Sequence, residues 1–307
     1  MIKIQNLTKY YGKRLAVDDI SFTVDKGEIV GFLGPNAAGK STTMRMITGY
    51  LLPTRGDVWI ADHNMATQSL EGRRLIGYLP ELAPLYTDMT TRRYLEFAAR
   101  LRGVDKRMIR SRIDEVVQTC GLEDYIDEYL SKISKGFRQR VGLAQAVVHD
   151  PEVLILDEPT VGIDPIQVAH TRQLIKDLGK DRTILLSTHI LPEVSMICER
   201  VVIIHEGRVV AQDRIENLGG LLQGGKRLRL TVQGPASEVT NCLGKIGAIR
   251  EVRYEAPHHI VEYPSDESPQ SEINAALVQN GWTLMAMEAV EMSLEDIFLQ
   301  LTDEKKT

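Results

Sequence analysis

The sequence is poor in cysteine. Cys120, Cys198 and Cys242 are odd in number, far apart and without metal-ligand spacing. That excludes a disulfide framework and a zinc finger, and buried thiols in a reducing compartment are the expectation. Long apolar runs are also missing. No stretch approaches the roughly 18 uninterrupted apolar residues of a membrane span. The start, Met1-Ile2-Lys3-Ile4-Gln5-Asn6, lacks the apolar run of a signal peptide. The expected place is therefore the cytoplasm. An excess of positive charge is absent too. With 37 Lys and Arg against 42 Asp and Glu, the net charge of -5 argues against a dedicated nucleic-acid binder. No sustained heptad region calls for a long coiled coil.

What is present is an ordinary globular composition, 43% hydrophobic and 26% charged over 307 residues. That length suits one large domain and a smaller one. Four short continuous apolar runs stand out: Ile29 to Leu33, Val153 to Leu156, Ile184 to Leu186 and Val201 to Ile204. Continuous apolarity suits strands covered on both faces, as in a parallel α/β sheet. Tyr94, Phe97, Ala98 and Leu101 share one helix face, as do Ile113, Val116, Val117 and Cys120. These two helices lie between Tyr78 and Ser131 without an apolar strand between them, and read as a helical subdomain inserted into the α/β core.

Glycines at 219, 220, 224 and 225 read as a linker over 218–226, separating a domain at 1–217 from one at 227–307. The second domain patterns as strand (227–232), helix (236–246), strands (250–254 and 259–263), helix (272–279) and strand (283–290). That order is a small α+β, ferredoxin-like module. A last helix is expected to start at Ser293, where Ser-Leu-Glu-Asp resembles a capping box. His258 and His259 read as turn and strand residues rather than metal ligands.

Gly34-Pro35-Asn36-Ala37-Ala38-Gly39-Lys40-Ser41 fits the P-loop pattern, follows the run ending at Leu33, and precedes a segment from Thr42 that can open a helix. In that setting backbone N–H groups and the helix dipole face phosphate. Lys40 is placed to reach the β- and γ-phosphates, and the Ser41 hydroxyl to ligate Mg2+. A second run ends in Asp157-Glu158-Pro159. Ligands of open α/β sheets bind at the carboxyl ends of strands. Asp157 is thus placed to hold Mg2+, and Glu158 to orient or deprotonate an attacking water.

From these motifs the chain, over about residues 1–215, resembles the ABC ATPases. The resemblance implies a P-loop NTPase fold with a mixed sheet core, ATP as substrate and a dimer of ATPase subunits. Tyr11 sits where the family stacks an aromatic on adenine, with Tyr10 beside it leaving the choice open. Ser134-Lys135-Gly136 sits at the family's signature, which acts on ATP held by the other subunit. Asp164 resembles the loop crossing that interface, and His189 the histidine that contacts the γ-phosphate. Three departures stand out. Ala37 replaces a glycine and would be strained by roughly 1 kcal/mol if its φ were positive; the loop is expected to tolerate it. Glu81 replaces a glutamine near the metal. Lys135 and Phe137 replace a glycine and a glutamine of the signature. With Gly77-Tyr78-Leu79-Pro80-Glu81 and the ending Ser293 to Thr302, they are similar to ATPase subunits of ABC-2-type exporters of the drug-export and gliding-motility group. That implies a separate transmembrane permease and a peripheral position on the inner face of the membrane. A cytosolic ABC ATPase of translation or repair, and an ATP sensor without turnover, are the rival readings.

Overall fold

A computed structural model describes residues 1–221, 226–264, 266–290, 296 and 298. The chain divides into two compact units, Met1–Arg214 and Ile215–Thr307.

The first unit begins with strands β1 (Ile2–Tyr11) and β2 (Arg14–Val24), followed by β3 (Ile29–Leu33), helix α1 (Lys40–Ile47), β4 (Arg55–Ile60) and the short β5 (His63–Asn64). Next come α2 (Ser69–Arg74), β6 (Ile76–Leu79), α3 (Thr91–Leu101), α4 (Ile109–Cys120) and α5 (Lys135–Val147). The unit closes with β7 (Val153–Asp157), α6 (Pro165–Gly179), β8 (Thr183–Thr188), α7 (Leu191–Ile197), β9 (Arg200–His205) and β10 (Arg208–Arg214).

These strands form two sheets. One has the order β2-β1-β4-β5, and the other β10-β9-β3-β8-β7-β6. In the second sheet β6, β7, β8, β3 and β9 run parallel, and β10 is an antiparallel edge. Its inner strands are the continuous apolar runs of the sequence. All five residues of β7 and all six of β8 are buried, because both faces of the sheet are covered.

The antiparallel sheet packs its apolar face on the same core. Ile2, Leu7 and Phe22 join Phe32, Met44, Ile155 and Ile204 in one buried cluster, with the Phe22 and Phe32 rings stacked at 5.3 Å. α3 and α4 form the helical insertion. Thr90 caps α3 through its hydroxyl, and Gly121 ends α4 in the left-handed conformation. Tyr94, Leu95, Ala98 and Ala99 are the buried face of α3, whereas Leu101, expected on that face, is 70% exposed. It ends the helix, where the apolar stripe leaves the core.

Cys120 and Cys198 are buried thiols. Burial pushes Cys120 up to about 12 and raises Cys198 as well, so both stay protonated. Cys242 is half-buried.

The second unit begins with α8 (Ile215–Leu221), so helix stands where a glycine linker was expected; residues 222–225 of that stretch lie outside the described residues. Then follow β11 (Lys226–Gln233), α9 (Ala236–Leu243), β12 (Glu251–Glu255), β13 (His258–Tyr263), α10 (Gln270–Gln279) and β14 (Thr283–Val290). The antiparallel sheet has the order β12-β13-β11-β14, the split β-α-β topology read from the sequence pattern. Leu228, Leu230, Val239, Leu243, Val261, Ile273 and Leu277 fill its core. His258 Nδ1 pairs with the Thr231 hydroxyl and His259 Nδ1 with that of Thr240, so the two rings serve different neighbours. The expected helix start at Ser293 lies outside the described residues. Asp296, described beyond it, is ion-paired at 2.6 Å with the buried Arg227.

Candidate active site

The parallel sheet decides where chemistry can collect. β3, β7, β8 and β6 all end at one edge, and the segments leaving them are the P-loop, Asp157-Glu158, His189 and Glu81. Residues far apart in sequence thus meet at the carboxyl ends of neighbouring strands.

The loop after β3 turns on Gly39, which caps α1 at φ 108. A Cβ there would stand 2.7 Å from the Ala16 carbonyl oxygen, so only glycine permits both the angle and the approach. Lys40 opens α1 and folds back beneath the loop. Its Nζ donates to the carbonyls of Gly34 at 2.8 Å and Pro35 at 3.2 Å. Ala38 lies buried below. Ala37 has φ 66, the condition under which its methyl group is strained.

The acidic pair is organised by Ser187. Its hydroxyl donates to Asp157 Oδ1 at 2.5 Å and accepts from the backbone N–H of Glu158 at 3.1 Å. The Ser41 hydroxyl lies 3.3 Å from the same Asp157 oxygen. Burial raises the Asp157 carboxyl above its ordinary range, against the lowering effect of the Ser187 and Ser41 hydroxyls. Glu158 is held at φ 50. Its carboxylate lies 3.2 Å from Lys40 Nζ, and His189 Nδ1 stands 3.1 and 3.0 Å from its two oxygens. A proton on that nitrogen donates to the carboxylate.

These groups face a cleft of about 630 Å³. Tyr11, Asn36, Ala37, Gly39, Lys40, Ser41, Thr42, Glu81, Glu158 and His189 line it, while Gly34, Pro35 and Ala38 support the loop from behind. Of the two neighbouring tyrosines, Tyr11 is the one in the wall. Arg14 and Ala16 on β2 also line the cleft. Sequence reasoning missed both, because they belong to no motif and reach the cleft only through the fold of β1 and β2.

Ser134, Lys135, Gly136 and Asp164 stand outside this cleft. Ser134 caps α5 by accepting from Phe137 N at 3.4 Å, and Asp164 caps α6 by accepting from Gln167 N at 3.0 Å. The two helix starts meet. Gly162, at φ 70, lies so close to Lys135 that a Cβ on it would stand 2.1 Å from Nζ. Phe137 lies against the Tyr125 ring, with centroids 3.9 Å apart, and under the Arg140 guanidinium. The departures at 135 and 137 therefore have local packing of their own.

A family model described as "ABC transporter" matches residues 17–161. The bacitracin transport ATP-binding protein BcrA of Bacillus licheniformis is 36% identical, over 98% of this chain and 97% of that protein. The chain belongs to the ABC transporter ATP-binding subunits. The linearmycin resistance ATP-binding protein LnrL of Bacillus subtilis (strain 168) is 30% identical, over 98% of each chain. Among solved structures, one described as the ATP-binding subunit of an ABC transporter is 32% identical, with a TM-score of 0.66 over 72% of this chain and 92% of that one. A dimeric post-hydrolysis state of the cassette MJ0796, bound to ADP and Pi, is 25% identical, with a TM-score of 0.64 over 70% of this chain and 99% of that one. The chain is accordingly an ATPase of the P-loop fold. ABC ATPases dimerise and pair with transmembrane permeases. No helix among the described residues is long and apolar enough to cross a membrane.

Proposed function

We propose that this chain powers an ABC-2-type exporter as a peripheral subunit on the cytoplasmic face of the membrane, with the carboxylate of Glu158 promoting hydrolysis of ATP held by its own P-loop. The observation that carries the site assignment is the convergence of Lys40, Glu158 and His189 within 3.2 Å contacts at the P-loop cleft. The names of BcrA and LnrL, a bacitracin transport protein and a linearmycin resistance protein, support export.

In this reading the P-loop N–H groups and Lys40 hold the β- and γ-phosphates, and the Tyr11 ring offers a face to the base. Ser41 Oγ and Asp157 Oδ1, hard oxygen donors 3.3 Å apart, suit Mg2+, with Glu81 in the same cleft. When bound, that ion would supply charge neutralisation at the phosphates. Glu158 orients a water and takes its proton as the oxygen attacks the γ-phosphorus in line. The bond to the β-phosphate oxygen breaks, and ADP and phosphate remain. Lys40 and His189 stabilise the charge on the transferring group.

Ser134, Lys135, Gly136 and Asp164 lie off their own cleft, and are assigned to the nucleotide of a second subunit. ATP then bridges two chains, and its cleavage removes the bridge. A second cavity of about 330 Å³, lined by Tyr50, Tyr78, Tyr94, Phe97 and Leu101 with Arg73 and Arg102, adjoins the helical insertion. It is assigned to a permease segment, which receives the motion.

The test is to tag the chain in its native cell, solubilise membranes gently and identify what co-purifies. The reading expects a polytopic membrane protein with about six spans of roughly 20 apolar residues each. Recovery with ribosomes, or without a membrane protein, contradicts it.

A further inference from the structure

Thr160 stands two residues after Glu158, and Glu193 lies on α7, the helix that follows His189. The Thr160 hydroxyl donates to Glu193 Oε2 at 2.5 Å, with the residues only 2% and 6% exposed. A buried carboxylate is costly unless well bonded, and neither residue lines the nucleotide cleft. The position of the bond in the chain gives it a purpose. The turn carrying Glu158 is tied to β8 on its N-terminal side, where Glu158 N donates to Ser187 O and Oγ, both at 3.1 Å. The Thr160–Glu193 bond ties the other side of the same turn to α7. Between the two ties Glu158 is held at φ 50, a backbone state that persists only when its surroundings over-determine it. His189 lies between the same two anchors, Ser187 on β8 and Glu193 on α7.

We propose that Thr160 and Glu193 are positioning residues for ATP hydrolysis. Their bond makes the Glu158 turn and the His189 segment one rigid body. When γ-phosphate draws Lys40 away from Glu158, the side chain swings toward water while its backbone stays fixed. The pair touches no substrate and acts only through Glu158 and His189. The inference rests on the reading of Glu158 as the group that activates water.

The full chain tests it through Thr160→Val combined with Glu193→Met. Removing both partners leaves no buried group unpaired, so the fold is expected to hold. The expected result is unchanged affinity for fluorescent ATP and ADP analogues, within about twofold, and a kcat lowered by about tenfold or more with little change in KM. Thr160→Ser, which keeps the hydroxyl, retains the wild-type kcat. A double variant with wild-type kcat overturns the proposal, as does a loss of nucleotide affinity in step with kcat. If the double variant does not fold, Thr160→Val alone is read in the same way at a temperature where circular dichroism reports it folded. Failure of the underlying reading is distinct, because it appears as unimpaired hydrolysis in Glu158→Gln.

Discussion

Lys40 Nζ and Glu158 Oε1 lie 3.2 Å apart, each side chain 6% exposed, at the base of the P-loop. The carboxylate thereby occupies Lys40 and His189, the two cationic or proton-donating groups that a γ-phosphate needs. ATP entering the site exchanges one anion for another. ADP lacks the γ-phosphate and has no need to displace Glu158.

Removing Lys40 tests the phosphate side of this exchange. Lys40→Ala deletes the cation beneath the loop and frees the Gly34 and Pro35 carbonyls it holds. The expected outcome in a fluorescent-nucleotide titration is loss of Mg-ATP binding. Wild-type affinity in this variant would mean that the phosphates bind elsewhere.

Ala37 is a P-loop residue whose backbone is at odds with its side chain. At φ 66, alanine carries strain of roughly 1–2 kcal/mol that glycine does not. Ala37→Gly is expected to stabilise the first unit by about 1 kcal/mol, a rise in Tm of roughly 2–4 °C. Thermal unfolding of the nucleotide-free protein checks this. An unchanged or lower Tm would show that the loop relaxes the strain.

Asp157 sets a pH dependence whose sign follows from its raised carboxyl. Its ordinary value is 3.8, and burial, the largest influence, lifts it in the folded chain. The folded state then binds the proton more tightly than the unfolded state. The associated stability is fully present below the unfolded value and is lost as pH rises through the folded one. Without nucleotide, Asp157→Asn is therefore expected to raise Tm at neutral pH, with the gain over wild type vanishing near pH 3.8 and below. Mg-ATP reverses the order, because wild type gains stability from ligand binding and the variant loses a metal donor. Melting curves across pH, with and without Mg-ATP, measure both effects.

Much of this site was legible in the sequence because phosphate binding imposes local order. The Gly34–Ser41 loop needs a strand before it and a helix after it, and Asp157-Glu158 needs a buried strand to carry it. The sheet β2-β1-β4-β5 was not read. Its alternation of Ile2 and Ile4 breaks at Asn6, which has φ 48, and resumes out of phase at Leu7. A similar shift accompanies Asp19 at φ 52. Bulged strands lose the period of two on which such a reading depends. Leu101 misled in the other direction, because helix periodicity continues past the point where packing stops.

The Lys40–Glu158 pair and the Thr160–Glu193 bond were illegible for a different reason. Each joins the turn after β7 to a residue on a separate helix, Lys40 on α1 or Glu193 on α7, and the order β3-β8-β7 that brings them together follows from crossover connections, not from local pattern. The contact of Lys135 with Gly162 has the same origin. The sequence marked Lys135 as a departure, and the structure places its ammonium over a glycine whose missing side chain makes room for it.

The most direct test of the account is Glu158→Gln in the full chain, with phosphate release and ATP-dependent dimerisation measured on one preparation. Glutamine keeps the shape of the side chain but accepts no proton and forms no ion pair with Lys40. The account predicts retained ATP binding, turnover lowered by about 100-fold or more, and an ATP-bound dimer that accumulates and sediments as two chains. Phosphate release at the wild-type rate would contradict it, and would remove Glu158 from the centre of the mechanism.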